Sequence, residues 1–326
     1  MRIAIEEHWI LPELDSALRR LPADRSDPSL ALNDHGGARE KLLDLSGRRL
    51  ADMDALGIDL QILSLAPPGA GPLDQDEAIA LSRAANDRAA AAAAEHPDRF
   101  RFLATLPMSA PRAVAAELHR AVGVGAVGAM VYGRTGDTAL DDPGTEPLFE
   151  AAERLHVPLF VHPQIPPQSV RQAEYAGFSP DVELALASFA WGWHVEAGTA
   201  VLRMIAAGVF DRHPGLQVVL GHWGELLLLW RERARSVGRI ARLERSVDQI
   251  IAENLHVTSS GMLDAEVLRH VLTITSIDRL MLSIDYPFQQ PGADELDEFL
   301  SDFSVVDRAA FGATNAQWLF RIPPSA

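Results

Sequence analysis

The chain has 326 residues, no cysteine, and 29 Lys and Arg against 45 Asp and Glu, which gives a formal net charge of −16. Apolar residues make up 48% and charged residues 23%, a globular composition that excludes a disordered, collagen-like or disulfide-stapled protein. The acidic balance argues against binding to nucleic acid or to an anionic membrane surface, because both require clustered positive charge.

The N-terminus enters an apolar run at once and then meets Glu6 and Glu7. A secretory signal would need a longer uncharged core and a small-residue cleavage site, and no segment is long and apolar enough to cross a bilayer. We therefore expect a cytoplasmic protein. Without cysteine, any bound metal must be held by histidine and carboxylate side chains.

Short runs rich in Val, Ile and Leu alternate along the chain with longer amphipathic or alanine-rich segments. The short runs predict eight strands, at 2–7, 60–66, 100–107, 126–132, 158–162, 217–221, 255–259 and 279–284. The other segments predict helices over 48–56, 76–95, 111–121, 146–155, 183–208, 226–252, 264–272, 294–303 and 307–311. The strands lack the alternation of a half-solvated sheet, so we expect parallel strands buried on both faces.

Eight such strands with helical crossovers predict an α/β protein with a (β/α)8 TIM barrel, as one domain over residues 1–326. Periodicity alone leaves an open doubly wound sheet as the alternative. No glycine-rich phosphate loop follows any predicted strand, so nothing in the sequence indicates nucleotide binding. Two long connections, 9–48 and 164–183, leave the C-terminal ends of their strands, where a barrel carries its active site.

Ionisable side chains stand where predicted strands one, five, six and eight end; they are Glu6, Glu7, His8, His162, His222 and Asp285. The C-terminal ends of barrel strands converge on one mouth, so these side chains can share one cation. Glu6 and His8 are two residues apart and point to the same face of their strand, with Glu7 on the other face. Two carboxylates and two imidazoles suit Zn, Mn or Fe.

Each of these residues also has a structural interpretation. The glutamates can mark an exposed strand end, a histidine can be buried against backbone partners, and Asp285 can cap a turn before a proline. The coincidence of four strand ends favours the metal site. The remaining histidines receive structural interpretations: His194 is a packing or subunit-contact residue on a helix, and His213 and His256 are surface or turn residues.

The same residues lie in motifs that together resemble one known family, the amidohydrolase-2 branch of the amidohydrolase superfamily. The motifs are IAIEEH at 3–8, RLADMDALGID at 49–59, EHPDRF at 95–100, VHP at 161–163, GVFDRHPGL at 208–216, LGHWGE at 220–225 and LSIDYPF at 282–288. The last two are the most specific, and the likeness runs nearly end to end. Within the branch, the chain is most similar to γ-resorcylate decarboxylase and related ortho-hydroxybenzoate decarboxylases.

The resemblance implies a distorted (β/α)8 barrel with one divalent metal, Zn or Mn. The ligands carried over by motif are Glu6, His8, His162 and Asp285. Most amidohydrolases have His-x-His on the first strand, and the decarboxylase-like members replace the first histidine with glutamate, as Glu6 does here. The resemblance also implies a homodimer or homotetramer. The apolar stretch with Phe189, Trp191 and Trp193 is a candidate interface, or it packs against the barrel.

The implied reaction is loss of carbon dioxide from a small aromatic carboxylate with an ortho hydroxyl group. Asp285 would protonate the ring carbon that bears the carboxylate. His222, oriented by Glu225, would move the phenolic proton. Arg233, which lies 11 residues after His222, would bind the substrate by offsetting its charge.

The chain departs from the family pattern in ways that bear on the substrate. Tyr132 stands where relatives often have Asn, Gln164 stands where many have Arg, and LLLLWR after HWGE lacks the usual proline. The alternative function is a metal-dependent hydrolase or hydratase, in which His222 or Asp285 activates a metal-bound water against a lactone, amide or unsaturated acid. A third interpretation is a non-catalytic metal-binding protein, against which the complete ligand set argues.

Overall fold

The computed structural model of the protein describes residues 1–323. Its main sheet has eight strands: β1 Ile3–Trp9, β2 Leu60–Leu65, β3 Phe100–Thr105, β4 Gly128–Tyr132, β5 Leu159–His162, β6 Val218–Leu220, β7 Leu255–Thr258 and β8 Leu280–Met281. Each strand pairs in parallel with the next one in the chain. The backbone N–H of Ile5 donates to the carbonyl of Leu282 at 3.1 Å, so the sheet nearly closes on itself. The predicted (β/α)8 barrel is confirmed, because a doubly wound sheet would reverse its strand order.

Helices join the strands around the outside of the barrel. The α-helices are α1 Pro12–Arg19, α2 Ala38–Leu43, α3 Gly47–Leu56, α4 Gln75–Glu95, α5 Pro111–Gly123, α6 Glu146–Leu155, α7 Gln168–Val170, α8 Pro180–Ala187, α9 Gly192–Ala206, α10 Val209–Arg212, α11 Arg231–Ala241, α12 Val247–Asn254, α13 Ala265–Val271, α14 Ala293–Ser301, α15 Val305–Ala309 and α16 Asn315–Leu319. A small antiparallel hairpin, Arg134–Thr135 with Thr138–Ala139, follows β4.

Two segments that were each predicted as one helix form two helices in the structure. The helix predicted over 183–208 divides into α8 and α9, because Ser188 leaves the helical region and Gly192 lies so close to Ala187 that a Cβ would be 2.5 Å from its carbonyl oxygen. The helix predicted over 226–252 divides into α11 and α12. Leu226 and Arg242 have φ angles of 64° and 58°, which a right-handed helix cannot contain.

The last strand is shorter than the predicted 279–284. Leu282 donates its N–H to the carbonyl of Phe311, and Ser283 donates its N–H to the hydroxyl of Ser259. Ile284 donates to a carboxylate oxygen on β1. These backbone groups bond outside the ladder, so the strand ends at Met281.

One apolar layer fills the inside of the barrel. It is formed by Ile3, Ile5, Leu60, Ile62, Leu103, Met130, Phe160, Val219 and Met281. Side chains of the C-terminal segment pack against this layer from the end at which the strands begin; they are Ala313, Ala316, Leu319, Phe320 and Ile322. The end at which the strands finish is therefore left for polar side chains, as in other barrels of this type.

A β-bulge in β1 decides which side chains reach that end. Ile3 and Ile5 point into the barrel, and unbroken alternation would also put Glu7 inside, with Glu6 and His8 outside. The register with β2 shifts between Ile5 and Glu7, and Glu6 has a φ angle of 73°. The extra residue reverses the alternation, so that Glu6 and His8 face the centre.

Across residues 1–323, no helix combines the length and the apolarity that a membrane crossing requires. The prediction of one domain over 1–326 stays a prediction, and its last three residues lie outside those that the structure describes.

Candidate metal centre and acid–base cluster

Two carboxylates and two imidazoles meet at the end of the barrel where the strands finish. Ligand atoms of Glu6, His8 and His162 lie within 4.8 Å of one another. Oδ1 of Asp285 lies 3.3 Å from Nε2 of His8, and Oε1 of Glu6 lies 3.4 Å from Nε2 of His162. The structure thus brings together the four residues that the sequence predicted as metal ligands.

Hydrogen bonds orient both imidazoles toward the same point. Nδ1 of His8 lies 3.2 Å from Oγ of Ser64, and Nδ1 of His162 lies 2.6 Å from the carbonyl oxygen of Pro163. Each ring therefore presents Nε2 to the centre, which is the arrangement that a partner on the far nitrogen imposes on metal-binding histidines. The two rings are nearly perpendicular, with centroids 4.9 Å apart.

The buried carboxylate of Glu6 is incompletely paired. Its Oε2 accepts a hydrogen bond from the hydroxyl of Ser260, whereas its Oε1 has no hydrogen-bond partner within residues 1–323. Burial raises the pKa of Glu6 to about 8 and lowers the pKa of His8 to about 3. A buried polar atom without a partner is costly, and a divalent cation would pair with this oxygen and both Nε2 atoms. The donor set fits Zn²⁺ or Mn²⁺.

Asp285 stands at the solvent side of this donor set. Its side chain is 13% exposed, whereas that of Glu6 is fully buried. Burial raises the pKa of Asp285 to about 7, against the opposing charge of His222. A carboxyl group in this range can carry a proton at neutral pH, and a bound cation would favour its ionised form.

Left-handed backbone conformations concentrate around the centre. The φ angles are 73° at Glu6, 46° at His222, 51° at Glu225, 43° at Ser260 and 61° at Asp285. A non-glycine residue held there costs roughly 1–3 kcal/mol, so the surrounding packing must enforce each one. These backbone conformations turn the side chains at the strand ends toward the predicted metal centre.

A second cluster, formed by His194, His222 and Glu225, adjoins the donor set. Oε1 of Glu225 lies 2.7 Å from Nδ1 of His222, and its Oε2 lies 2.7 Å from Nδ1 of His194. Burial alone would raise the pKa of Glu225, but the charges and hydrogen bonds of His222 and His194 together outweigh burial and lower this pKa to about 2. Burial would lower the pKa of His222, but the charge and hydrogen bond of Glu225, together with the charges of Glu6 and Asp285, raise it to about 10. The two residues form a buried ion pair.

The structure corrects two histidine interpretations. His194 bonds to Glu225 instead of serving only in packing or subunit contact, and the sequence signal was one histidine within an apolar stretch, FAWGWHVE. His256 is buried within β7, not at the surface or in a turn, whereas His213 opens a turn and is also buried. The sequence does not reveal their burial, because each side chain is paired with residues that are distant in the chain.

Arg233 lies on an exposed face of α11. Within residues 1–323, its guanidinium forms no hydrogen bond or ion pair, either with the two clusters or with other residues. Its role in substrate binding stays a prediction.

Aromatic rings border the predicted metal ligands. The ring of Phe288 lies 5.6 Å from that of His8, and the rings of Tyr132 and Trp193 lie 5.7 Å and 6.2 Å from that of His162, measured between centroids. Tyr132 also lines a cavity of about 670 Å³, together with Gln164. None of the four predicted ligands lines this cavity, so it lies beside the metal centre.

A (β/α)8 barrel with histidine and carboxylate ligands at the C-terminal ends of its strands defines a class, the metal-dependent barrel enzymes. The model of the amidohydrolase family Amidohydro_2 matches residues 27–322. The chain belongs to this amidohydrolase family.

Relatives of the chain include decarboxylases. A γ-resorcylate decarboxylase of Rhizobium sp. is 34% identical to this chain over an alignment of 340 positions. The alignment covers 98% of this chain and 98% of that protein. The 5-carboxyvanillate decarboxylase of Novosphingobium aromaticivorans, solved with manganese and 4-hydroxy-3-methoxy-5-nitrobenzoic acid, has a TM-score of 0.89 and 32% identity over 99% of this chain and 96% of that one. A dihydroxybenzoic acid decarboxylase of Polaromonas sp., solved with manganese and 2-nitroresorcinol, has a TM-score of 0.84 and 30% identity over 99% and 98% of the two chains.

Proposed function

We propose that the protein catalyses the metal-dependent, non-oxidative decarboxylation of a small aromatic carboxylate with an ortho hydroxyl group. The observation that carries the proposal is the placement of a charged acid–base pair, His222 with Glu225, beside a donor set in which Oε1 of the buried Glu6 carboxylate has no hydrogen-bond partner within residues 1–323. The likeness to resorcylate and carboxyvanillate decarboxylases over nearly the whole chain supports the substrate class.

Glu6, His8, His162 and Asp285 would hold one divalent cation, Zn or Mn. When bound, the cation supplies Lewis-acid polarisation and a template for the adjacent carboxylate and phenolate oxygens of the substrate. Manganese in the two solved decarboxylases supports this choice of metal. The nearby aromatic rings would contact the faces or edges of the substrate ring and exclude water.

Asp285 would donate a proton to the ring carbon that bears the carboxylate. The new C–H bond interrupts aromaticity, the carbon–carboxylate bond breaks, and its electron pair restores the ring as carbon dioxide leaves. Burial raises the pKa of Asp285 to about 7 without metal, which opposes the tendency of a bound cation to keep this carboxyl group ionised and so supports its role as a proton donor. His222, which Glu225 keeps protonated, would donate a hydrogen bond to the phenolate oxygen of the substrate, and Glu225 would keep its ring in place.

We also propose that Arg233 assists an anionic substrate to enter, since the molecule as a whole carries a formal charge of −16 and repels anions. Arg233→Ala should then raise KM for the carboxylate with kcat unchanged. The control is Arg239→Ala, another exposed arginine on α11. An equal KM in both variants would remove Arg233 from the substrate path.

We further infer a cytoplasmic homodimer or homotetramer. Phe189, Trp191, Leu229 and Trp230 are each half or more exposed. The two segments that carry them flank the contact of α9 with the loop before α11. Exposed apolar surface of this kind is typical of subunit interfaces. Trp193 turns toward His162 instead, so it is not part of this surface.

The test is carbon dioxide release by manganese- and zinc-loaded protein. The panel is 2,6-dihydroxybenzoate, 2,3-dihydroxybenzoate, salicylate and 5-carboxyvanillate. We expect chelator-sensitive release from at least one of them, and Asp285→Asn should abolish it. No release from any of the four by protein shown to contain metal would overturn the proposal in favour of hydrolysis or hydration of a lactone, amide or unsaturated acid.

A further inference from the structure

The start of α9 (Gly192–Ala206) lies directly against the loop that carries the acid–base pair. Gly198 marks the contact, because a Cβ at this position would lie 2.2 Å from the carbonyl oxygen of Glu225. His194 precedes Gly198 by four residues, so both lie on the same face of the helix. The helix therefore contacts Glu225 twice, at its backbone through Gly198 and at its carboxylate through His194.

We propose that His194 is a positioning residue for the acid–base pair: it holds the Glu225 carboxylate in the rotamer that orients His222. This inference rests on the proposed function and deepens it. The carboxylate is fully buried, and its two oxygens lie at the same distance, 2.7 Å, from the two imidazoles. Without His194, Oε2 would lose its partner and the carboxylate would be free to rotate away from His222.

His194 is itself fixed at both ends of its ring. Its Nε2 lies 2.9 Å from the carbonyl oxygen of Phe189, and its Nδ1 faces the carboxylate. Both partners are acceptors, so both contacts are hydrogen bonds when both ring nitrogens carry a proton. The ring also contacts that of His222, with centroids 4.7 Å apart. The backbone of α9, the hydrogen bond to Phe189 and the ring contact with His222 therefore fix the position of the His194 ring beside Glu225.

The role is separate from metal binding. The polar partners of the His194 side chain within residues 1–323 are Glu225 and the carbonyl of Phe189, and neither is a predicted metal ligand. A positioning residue of this kind acts on the rate through its neighbour. Its loss should therefore lower kcat and leave both KM and bound metal unchanged.

The test compares two variants at one position. His194→Phe keeps a ring against His222 and removes both donors, whereas His194→Asn places an amide nitrogen near Nδ1 and keeps the donor to Glu225. We expect kcat to fall about 10- to 100-fold in His194→Phe, with unchanged KM and metal content, and to recover most of this loss in His194→Asn.

The matched control is His213→Phe. His213 is also buried between two carboxylates, 2.9 Å from Glu146 and 3.2 Å from Glu153, and it precedes β6 at the opposite end of the barrel. The same substitution there removes an equivalent pair of contacts and should leave kcat unchanged. An equal fall in kcat at both positions, or an inactive His194→Asn, would overturn the proposal.

A crystal structure of metal-loaded His194→Phe protein supplies a readout that needs no substrate. We expect the Glu225 carboxylate to turn and the distance from its Oε1 to Nδ1 of His222 to exceed hydrogen-bonding range. An unchanged pair would overturn the positioning role, even if the decarboxylase proposal holds. A displaced pair would support it, even if the wild-type protein decarboxylates none of the tested acids.

Discussion

Glu6 and Glu7 are adjacent and both fully buried, yet their carboxylates differ in their hydrogen-bond partners. Oε1 of Glu7 accepts the N–H of Ile284 at 2.9 Å, and its Oε2 accepts the amide of Gln61 at 3.0 Å. Arg49 donates to Gln61 at 3.1 Å and closes this network on the outer side of β1. Both oxygens of Glu7 are thus paired within the protein, whereas Oε1 of Glu6 has no hydrogen-bond partner within residues 1–323 and would be available to the proposed cation.

This difference predicts opposite effects of the same substitution. Glu6→Gln should weaken metal binding at least about tenfold, because a neutral amide oxygen replaces the anionic ligand. Glu7→Gln should keep the metal and lower only the melting temperature, because its contacts are structural. Metal content after dialysis, measured by mass spectrometry beside thermal unfolding, separates the two. Full metal occupancy in Glu6→Gln would rule out its role as a ligand.

At the scale of elements, the eight strands could be predicted because burial on both faces leaves uninterrupted apolar runs. The four ligand candidates could be predicted because they stand where those runs end. The bulge at Glu6 could not be predicted, since it depends on the register with β2. The helix break before Gly192 and the hydrogen bond from His194 to Glu225 could not be predicted either, because both depend on tertiary contacts that the sequence pattern does not reveal.

The close contact of α9 with the loop that carries His222 and Glu225 predicts that Gly198 is sensitive to substitution. Gly198→Ala should displace the helix, because its Cβ would overlap the Glu225 carbonyl, and we expect a loss of about 1–3 kcal/mol in the free energy of unfolding together with lower kcat. The control is Gly123→Ala at the end of α5, where a Cβ meets nothing within 4 Å. This control should be neutral or slightly stabilising, since alanine restricts the unfolded chain. Urea unfolding measures both, and equal stabilities would refute the tight contact.

At the scale of the whole molecule, the exposed apolar surface predicts assembly. Trp191→Glu or Trp230→Glu should shift the protein toward a monomer, because a charge in a packed apolar interface is costly to desolvate. Val305→Glu is the control, since Val305 is exposed on α15. Light scattering after size-exclusion chromatography gives the mass of each species. A monomeric wild-type protein, or assembly that survives both tryptophan substitutions, would contradict this surface as the interface.

Buried titratable groups also couple the stability of the whole barrel to pH. Burial raises the pKa of Glu6 to about 8 and that of Asp285 to about 7, from ordinary values of 4.5 and 3.8. Without metal, the folded state keeps protons that the unfolded state releases, so the free energy of unfolding falls as pH rises toward 8. Burial lowers the pKa values of His8 and His162, which has the opposite effect, but only below about pH 6.5. Because the pKa of His222 is also raised, from 6.5 to about 10, the decline is expected to begin near pH 6.5 and to continue to about pH 10.

Metal binding should reverse this decline. The cation requires ionised carboxylates, so its binding tightens with pH and adds stability through its preference for the folded state. Manganese should then raise the melting temperature, relative to protein in chelator, more at pH 8 than at pH 6.5. Scanning calorimetry at both pH values, with and without metal, measures the two increments. Glu6→Gln should lose most of the increment at pH 8, whereas equal increments at the two pH values in the wild-type protein would show that these carboxylates are not coupled to the metal.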